Sequence, residues 1–496
     1  MNERGESYGR VVPEKPPNKA ARVAAEVVEE RRPAKGNTDS KTCAGPRAGR
    51  STSSELARVR QVAERDKEAR FTALLHHVSV ERLRDAFGAL RPKAAAGVDG
   101  VTWHAYEQNL EGNLRDLHAR VHRGGYRAKP SRRVYIPKAD GRQRPLGIAA
   151  LEDKIVQRAV VEVLNAIYEE DFLGFSYGFR PRRSQHDALD ALAVGIYRKK
   201  VNWMLDCDVA DFFTRIDHSW LERFLEHRIA DKRVLRLIQK WLEAGVIENG
   251  EWTACDEGTP QGATASPLLA NVYLHYVFDL WAHQWRRRHA QGDVVIVRFA
   301  DDIMVGFENR GDAERFRADL RERLAKFSLE LHAEKTRLIE FGRYAAERRK
   351  ERGLGRPEVF DFLGFTHICS RTRGGGFGLK RVTIASRMRA KLHEVKAELM
   401  RRRHRPIPEQ GQWLARVVRG HLNYYAVPGN IRAIRAFCSQ ASRHWYRALR
   451  RRSQRSCLNW DRMGRLTTRW LPPARVVHPY PGDRFDAITR GKNPVR

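Results

Sequence analysis

The sequence contains little cysteine and no long hydrophobic run. Its 496 residues include six cysteines, and no two of them form a C-x-x-C pair. Scattered cysteines argue against a disulfide framework and against a zinc module, so we expect reduced thiols. No hydrophobic run approaches the roughly 18–20 residues that cross a bilayer, and the N-terminus lacks the apolar stretch of a signal peptide. We therefore expect a cytoplasmic protein. The cysteines are Cys43, Cys207, Cys255, Cys369, Cys438 and Cys457.

Acidic residues are also scarce relative to basic ones. The chain has 60 Asp and Glu against 93 Lys and Arg, which gives a formal net charge of +33 and a pI near 10.4. Such an excess opposes compaction unless a polyanion neutralises it, and nucleic acid is the commonest such partner, with an anionic membrane as the rival. Hydrophobic residues at 42% and aromatic residues at 9% exclude a wholly disordered chain.

The composition divides the chain into segments. Residues 1–55 mix Pro, Gly, Ser and charges without an apolar period, which predicts a flexible extension. Residues 56–129 repeat apolar side chains at helical spacing and predict a helical subdomain. Over 130–370, stretches typical of strands and of helices alternate, which predicts an α+β domain with a central antiparallel sheet. The strand candidates are 132–137, 201–210 and 293–299.

The positive charge is concentrated towards the C-terminus. Residues 380–475 contain 24 Lys and Arg against 4 Asp and Glu. Within this segment, Ile434, Cys438, Trp445 and Leu449 form one apolar stripe of a helix. Mixed surface helices normally interleave acids, so their near absence favours nucleic-acid contact over an ordinary solvated face, and it weakens the membrane alternative. Five arginines fall to one side of the stripe: Arg432, Arg435, Arg443, Arg447 and Arg450.

Paired aspartates interrupt the most apolar stretch of the chain. Asp301 and Asp302 lie between two apolar runs, and a strand, turn and strand would hold both carboxylates at a hairpin tip. Their mutual repulsion calls for a cation such as Mg²⁺, although ordinary turn chemistry is the alternative. A second acidic strand end, at Asp208, could face this hairpin. Two metal ions about 3.5–4 Å apart could then activate a 3′-hydroxyl and stabilise a leaving pyrophosphate.

The aspartates lie in motifs that resemble those of reverse transcriptases. FADD at 299–302 is similar to their [YF]-A-D-D box, and DVADFF at 208–213 to their D-x-x-x-[FY]-[FY] box. GTPQG at 258–262 and SPLLANVYL at 266–274 resemble a block of the group II intron subfamily. Further matches follow in consistent order at 96–100, 132–138, 144–148, 176–181, 334–341, 362–365 and 419–430. Over residues 60–490, the chain is identified as a member of the group II intron-encoded reverse transcriptases and maturases, of the bacterial type that lacks an HNH endonuclease domain.

The resemblance implies a right-hand polymerase fold. It places the fingers and palm, with the central antiparallel sheet, at 130–370, preceded by a helical N-terminal fingers extension at 56–129. An α-helical thumb or maturase domain, called domain X, would occupy 371–475, and a C-terminal tail would occupy 476–496.

The resemblance also implies roles for individual residues. Asp208, Asp301 and Asp302 would be catalytic and would hold two Mg²⁺ ions, for which Mn²⁺ could substitute, with the Val209 carbonyl as an extra ligand. Asp211 matches the family box less well and could instead cap the following helix. Tyr424 and Tyr425 would contact RNA together with the five arginines, or would anchor the core as Tyr often does.

Five residues would contact the incoming nucleotide. Lys138 and Arg144 would grip its triphosphate, unless they are merely surface cations. Phe213 would exclude a 2′-hydroxyl, unless it is an unselective core residue. Gln261 would touch the template or the minor-groove side of the nucleotide. Lys335 would be a general acid for pyrophosphate, with a surface ion pair to the preceding glutamate as the alternative.

The implied function is RNA-directed DNA synthesis combined with the splicing and mobility of a group II intron. The expected partners are the group II intron RNA, an RNA template with a DNA primer, dNTPs and target DNA, in the bacterial cytosol or nucleoid and without a membrane. A domesticated reverse transcriptase of host defence, diversity generation or DNA repair is the alternative. A non-catalytic RNA chaperone is less favoured, because all three aspartates are intact.

Overall fold

The computed structural model describes residues 49–137, 143–248, 250–254, 257–259, 262–372, 374–453 and 458–489. Most of the predicted flexible extension, up to residue 48, lies outside these ranges, and a helix already begins at Gly49. The α-helices are α1 (Gly49–Arg65), α2 (Val80–Gly88), α3 (Trp103–Glu107), α4 (Leu110–His122), α5 (Leu151–Asp171), α6 (Gln185–Arg198), α7 (His218–Glu226), α8 (Lys232–Glu243), α9 (Ser266–Leu274), α10 (Leu280–Arg288), α11 (Arg310–Ala325), α12 (Ala345–Glu351), α13 (Ala385–Arg401), α14 (Ile407–Tyr425), α15 (Ile431–Arg450), α16 (Trp460–Trp470) and α17 (Pro481–Thr489).

The strands form three sheets, which gives the α+β class that the sequence predicts. The outer sheet has the order β2-β1-β4-β5, the central sheet β6-β7-β3-β8 and the C-terminal sheet β11-β10-β9. The strands are β1 (Ser131–Pro137), β2 (Gln143–Ile148), β3 (Trp203–Cys207), β4 (Val246–Glu248), β5 (Glu251–Thr253), β6 (Val294–Phe299), β7 (Asp302–Phe307), β8 (Arg337–Glu340), β9 (Phe360–Phe362), β10 (Phe365–Arg371) and β11 (Phe377–Thr383).

The central sheet separates two hydrophobic cores. All of its neighbouring strands pair antiparallel, as predicted. Successive side chains of a strand point to opposite faces, and in β6 Val294 and Ile296 enter one core while Val295 and Val297 enter the other. Because both faces are covered, the strand is a continuous apolar run rather than an alternating one.

Helix α9 passes through the larger core. Its residues are buried except Pro267, and the π-helical turn His275–Asp279 that follows is buried as well. A helix that is apolar on all sides belongs in the interior of a large domain. This buried segment lies close to the strand ends that carry the aspartates, as described below.

Helices α13 to α16 form a third core in the basic segment. The predicted apolar stripe on α15 is confirmed, because Ile434, Trp445 and Leu449 are buried and Cys438 is half-buried. The five predicted arginines are all exposed. The helix therefore packs on one side and presents cations on another, as its periodicity predicts.

The C-terminal elements are anchored to α6. Asp190 on this helix is buried and pairs with Arg381 of β11 at 2.7 Å, while Arg484 of α17 contacts the other carboxylate oxygen. Two guanidinium partners compensate the buried carboxylate. Among the described helices, none is both long and apolar enough to span a bilayer. The division into domains at 129, 370 and 475 stays a prediction.

Candidate active site

Two of the predicted aspartates lie at the tip of a tight hairpin. Strands β6 and β7 pair through Phe299 and Asp302, so Ala300 and Asp301 form a two-residue connection, and we call residues 299–302 the aspartate turn. Ala300 has a φ of 58°, in the left-handed region. Two-residue hairpin connections require positive φ values of this kind. The predicted strand, turn and strand is therefore confirmed.

Asp208 lies beside the aspartate turn because of the sheet register. It follows Cys207, whose partner across the sheet is Ile303, the second residue of β7. Continuing that antiparallel register places Asp208 next to Asp302. Lys335 approaches from the segment before β8, with its Nζ 3.7 Å from Asp208 Oδ2. The structure thus brings the three aspartates and Lys335 to one edge of the central sheet.

The carboxylates at this edge affect one another's protonation. Desolvation by the surrounding protein, followed by repulsion from Asp301, Asp208 and Asp206, raises the pKa of Asp302 well above its ordinary value, although the side chain is exposed. The guanidinium of Arg387 opposes this rise. Burial is also the main cause that raises the pKa of Asp206 to about 6. Such crowding of carboxylates is relieved when a cation binds among them.

The donors at this edge suit a hard cation. No three His, Cys, Asp or Glu side chains in the described ranges converge as in a closed metal site. Mg²⁺ commonly binds through one or two carboxylates plus substrate phosphates and waters rather than in an all-protein cage. An open set of aspartate oxygens beside a lysine therefore fits Mg²⁺ that arrives with a phosphate-bearing substrate.

A buried arginine holds the aspartate turn from the core side. The Arg298 guanidinium is bidentate to Asp279, with 2.7 Å from Nε to Oδ1 and 2.6 Å from Nη2 to Oδ2. It also donates to the Ala300 carbonyl at 3.0 Å, to Asn271 Oδ1 at 3.0 Å and to Ser176 Oγ at 2.7 Å. A charge this deep is stable only when it is paired and hydrogen-bonded. The network ties the turn to α9 and to the π-helical turn.

Sequence reasoning missed this network, although a signal for it was present. Arg298 is the one charged residue in the apolar strand β6, and Asn271 and Asp279 are polar residues in an almost wholly apolar helical segment. Buried polar residues in such positions need partners. A π-helical turn is also frequent near functional sites. Only the tertiary structure shows that these residues meet.

A glycine allows a loop to lie directly on the aspartate turn. The Gly178 carbonyl accepts a hydrogen bond from Asn271 Nδ2 at 2.7 Å. A Cβ at position 178 would lie 2.1 Å from the Ala300 nitrogen and 2.8 Å from the Phe299 carbonyl carbon. Backbone approach this close requires glycine. The loop therefore packs directly on the backbone of the aspartate turn.

Phe213, the predicted sugar-contacting residue, lies five positions after Asp208 in the sequence. It lies in the 3₁₀ helix Phe212–Thr214 and is half-buried. Its carbonyl accepts a hydrogen bond from the Thr259 N–H at 2.8 Å. Gly258 has a φ of +82°, and a Cβ there would lie 2.8 Å from the same carbonyl oxygen. Gly258 and Thr259 therefore position the Phe213 backbone.

The alternative role of Asp211 as a helix cap is wrong. Asp211 has a left-handed φ of 46°, and its side chain makes no capping hydrogen bond to the 3₁₀ helix that follows it. The cap of α7 is Asp217, whose carboxylate accepts hydrogen bonds from the first backbone N–H groups of that helix. Asp217 has the β-region backbone of an Ncap residue, which directs its carboxylate to the N–H groups two and three positions later. Asp211 has a left-handed backbone instead, and its side chain does not cap.

The structure describes little of three predicted nucleotide-contacting residues. Lys138 and Gln261 lie outside the described residues. Arg144 is in β2, where its backbone pairs with Ile136 of β1. That register confirms the predicted strand at 132–137 as part of a hairpin. The roles of these three side chains stay predictions.

The predicted RNA-contacting tyrosines pack within the chain. Tyr424 donates a hydrogen bond from its hydroxyl to the Leu363 carbonyl at 2.7 Å. The Tyr425 ring lies 5.2 Å from that of Phe365. Both tyrosines are half-buried, so these contacts favour the alternative that they anchor the core. The five arginines of α15, by contrast, are exposed and accessible to a polyanion.

Comparison with known proteins agrees with this site. Residues 136–367 match the family model described as reverse transcriptase (RNA-dependent DNA polymerase). Protein YkfC of Escherichia coli is 40% identical over 191 residues, which are 38% of this chain and 50% of YkfC. The group II intron-encoded protein LtrA of Lactococcus lactis is 36% identical over 191 residues, 38% of this chain and 32% of LtrA.

A more distant relative has a related name. The mitochondrial nuclear intron maturase 4 of Arabidopsis thaliana is 25% identical over 244 residues, 47% of this chain and 28% of that protein. The chain thus matches half or less of the length of these curated relatives. The matched region contains the central sheet, the aspartate turn and Asp208. Residues 136–367 therefore resemble the reverse transcriptases, and the relatives of this chain include a group II intron-encoded protein and an intron maturase.

Proposed function

We propose that this chain is an RNA-directed DNA polymerase, a nucleotidyltransferase that extends a DNA primer on an RNA template with dNTPs. The observation that carries the proposal is the meeting of Asp208 with Asp301 and Asp302 at one edge of the central sheet. Gly258 packs on the Phe213 backbone beside this edge, and Gly262 packs on the Gly147 backbone in β2. The predicted sugar contact therefore lies beside the aspartates.

The family is generally dependent on divalent metal, and we assign two Mg²⁺ ions to this edge, with Mn²⁺ as a substitute. Asp208, Asp301 and Asp302 would hold them, with the Val209 carbonyl as an extra ligand. Bound there, the ions would lower the pKa of the primer 3′-hydroxyl and neutralise the leaving pyrophosphate. Arg298 and Gly178 contribute by keeping the aspartate turn in one position.

The remaining side chains orient and select the nucleotide. Lys138, together with Arg144 of β2, neutralises its triphosphate, and Gln261 touches the template or the minor-groove side. Phe213 excludes a 2′-hydroxyl. Lys335, 3.7 Å from Asp208, is placed to donate a proton to pyrophosphate once a substrate displaces it from the carboxylate.

Primer extension tests the polymerase proposal. A DNA primer annealed to an RNA template is incubated with dNTPs, Mg²⁺ and either wild type, Asp301→Ala or the control Asp483→Ala, which removes an exposed aspartate of α17. We expect wild type and Asp483→Ala to extend the primer and Asp301→Ala to fail. Equally low incorporation by wild type and Asp301→Ala would show that the polymerase proposal is wrong.

We further propose that the chain binds its own group II intron RNA, promotes its splicing and acts with target DNA in intron mobility. The support is the basic C-terminal segment, with five exposed arginines on α15, together with relatives named as an intron-encoded protein and an intron maturase. Charge neutralisation would stabilise the folded RNA and make binding strongly dependent on salt. We place this activity in the cytosol and away from membranes.

The nucleotide sequence around the reading frame tests the intron proposal. Recognisable intron RNA domains should flank it, and a precursor RNA that contains them should splice faster with wild type than without protein. A variant with Arg435 and Arg443 replaced by Gln should lose this stimulation while it retains primer extension. Absence of such RNA domains would refute the maturase role and leave the polymerase role standing.

A further inference from the structure

A pocket lies far along the chain from the aspartates, in the basic helical segment. It has a volume of about 720 Å³ and is formed by α15 and the start of α16. Pockets of about 300–1,000 Å³ take ligands of nucleotide size. None of its lining residues is acidic. They are Arg443, Tyr446, Arg447, Arg450, Arg451 and Trp460.

The two aromatic residues form a fixed stack. The rings of Tyr446 and Trp460 lie 4.2 Å apart at 21°. The Tyr446 hydroxyl donates a hydrogen bond to the Leu458 carbonyl at 3.3 Å. Asn459 caps α16 by accepting a hydrogen bond from Arg462 N–H at 2.9 Å, which orients the first turn that carries Trp460.

One member of this stack is open to solvent. Trp460 is 55% exposed even though Tyr446 covers one face of its ring. An exposed aromatic side chain is not stabilised by burial against apolar neighbours. A ring that is held in one orientation can instead stack on a planar ligand.

Cations surround the open ring. Arg443, Arg447 and Arg450 follow one another on successive turns of α15, and Arg450 lies 5.8 Å over the Tyr446 ring. In the part of the chain that the structure describes, these three and Arg451 form no ion pair with an acid. Their charges are therefore available to an external anion.

We propose that this pocket binds an unpaired nucleotide of single-stranded RNA, with its base stacked on Trp460 and its neighbouring phosphates on the arginines. The inference rests on the proposed function for the choice of RNA as the ligand. Stacking on an aromatic ring requires a free base face, so the pocket distinguishes unpaired strands from duplex. Because every base has such a face, the contact tolerates many sequences.

Binding titrations with a fluorescent 12-nucleotide oligo(A) RNA test the proposal, with a base-paired RNA of the same length as the second probe. At fixed salt, Trp460→Ala should bind the single strand about 10- to 100-fold more weakly than wild type and bind the duplex equally well. Trp460→Phe should restore most of the loss. Arg447→Gln should weaken both probes and reduce the slope of log K against log salt by about one unit.

Two controls separate this proposal from the polymerase. Tyr480→Ala removes another exposed aromatic residue, which is 69% exposed, and should leave both titrations unchanged. Trp460→Ala should extend a saturating primer-template as wild type does, and Asp301→Ala should bind oligo(A) as wild type does. An oligo(dA) arm shows whether the pocket takes RNA alone or unpaired strands of either kind. Unchanged oligo(A) affinity of Trp460→Ala, or an equal loss in Tyr480→Ala, would overturn the proposal.

Discussion

Gly178→Ala tests whether backbone crowding fixes the aspartate turn. The new Cβ would lie 2.1 Å from the Ala300 nitrogen, 2.8 Å from the Phe299 carbonyl carbon and 2.9 Å from the Ala300 Cα. Ordinary contact between such atoms is about 3.5 Å. Loop and turn must therefore separate by about 1 Å or more, and all three close neighbours are backbone atoms that cannot swing away.

The expected result is a large loss of catalytic rate with a limited loss of stability. A misplacement of about 1 Å at a catalytic group can cost about 100-fold in rate, which corresponds to about 3 kcal/mol. Overpacking of a folded interior costs about 1–3 kcal/mol of unfolding free energy. We therefore expect kcat to fall about 100-fold. The KM for dNTP should change little, because Phe213 and the β1–β2 hairpin are not displaced.

Single-nucleotide primer extension at a temperature well below the melting transition measures this effect. Gly88→Ala is the matched control, because a Cβ at that position meets no atom within 4 Å. We expect its kcat to equal that of wild type. If Gly178→Ala kept kcat within threefold of wild type, contact with the loop would not position the aspartates, and the account of this site would be refuted.

Three further predictions concern selectivity, stability and pH. Phe213→Ala should reduce the preference for dNTPs over rNTPs by about 10- to 200-fold in competition assays, and an unchanged preference would return Phe213 to a core role. In urea denaturation, Arg381→Ala should lower the free energy of unfolding by about 1.5–3 kcal/mol, because a buried charge-assisted hydrogen bond to Asp190 is lost while Arg484 still pairs with that carboxylate. Arg198→Ala at an exposed ion pair should cost about 1 kcal/mol or less, and equal costs of the two variants would contradict this. Burial raises the pKa of Asp153 to about 6 from 3.8, so its contribution to stability is present below pH 3.8 and is lost as pH rises through 6. Asp153→Asn has no titrating group at this position, so its free energy of unfolding should rise relative to that of wild type between pH 4 and 7. Denaturation curves measure this difference, and a difference that stays constant with pH would refute the prediction.

The sequence predicts the strands and the position of the aspartates because those features are local. β6 and β7 are apolar runs on either side of two polar residues, so the hairpin and the tip location of Asp301 follow from the pattern. The exposed arginines of α15 follow equally from a helical period in one segment. Each of these predictions needed only neighbours along the chain.

The supports of the site were not predictable, because they join distant segments. Arg298 meets Asp279 and Ser176 across 19 and 122 positions of sequence, and no local period encodes that meeting. The packing of Gly178 on Ala300 depends in the same way on how a loop crosses a sheet edge. The prediction for Asp211 failed for a different reason. Aspartate is a residue type that favours helix caps, but the backbone conformation lets Asp217 cap a helix and does not let Asp211 do so.

The most direct test of the central claim is the rate of the first dNTP addition to a DNA primer on an RNA template as Mg²⁺ is titrated. The account predicts no addition without a divalent cation, a saturating rise with Mg²⁺ for wild type, and a fall of at least about 100-fold for Asp208→Asn and for Asp301→Asn in proteins that melt like wild type. Addition by either variant at the wild-type rate would contradict the assignment of these aspartates, and the absence of any addition by wild type would contradict the polymerase itself.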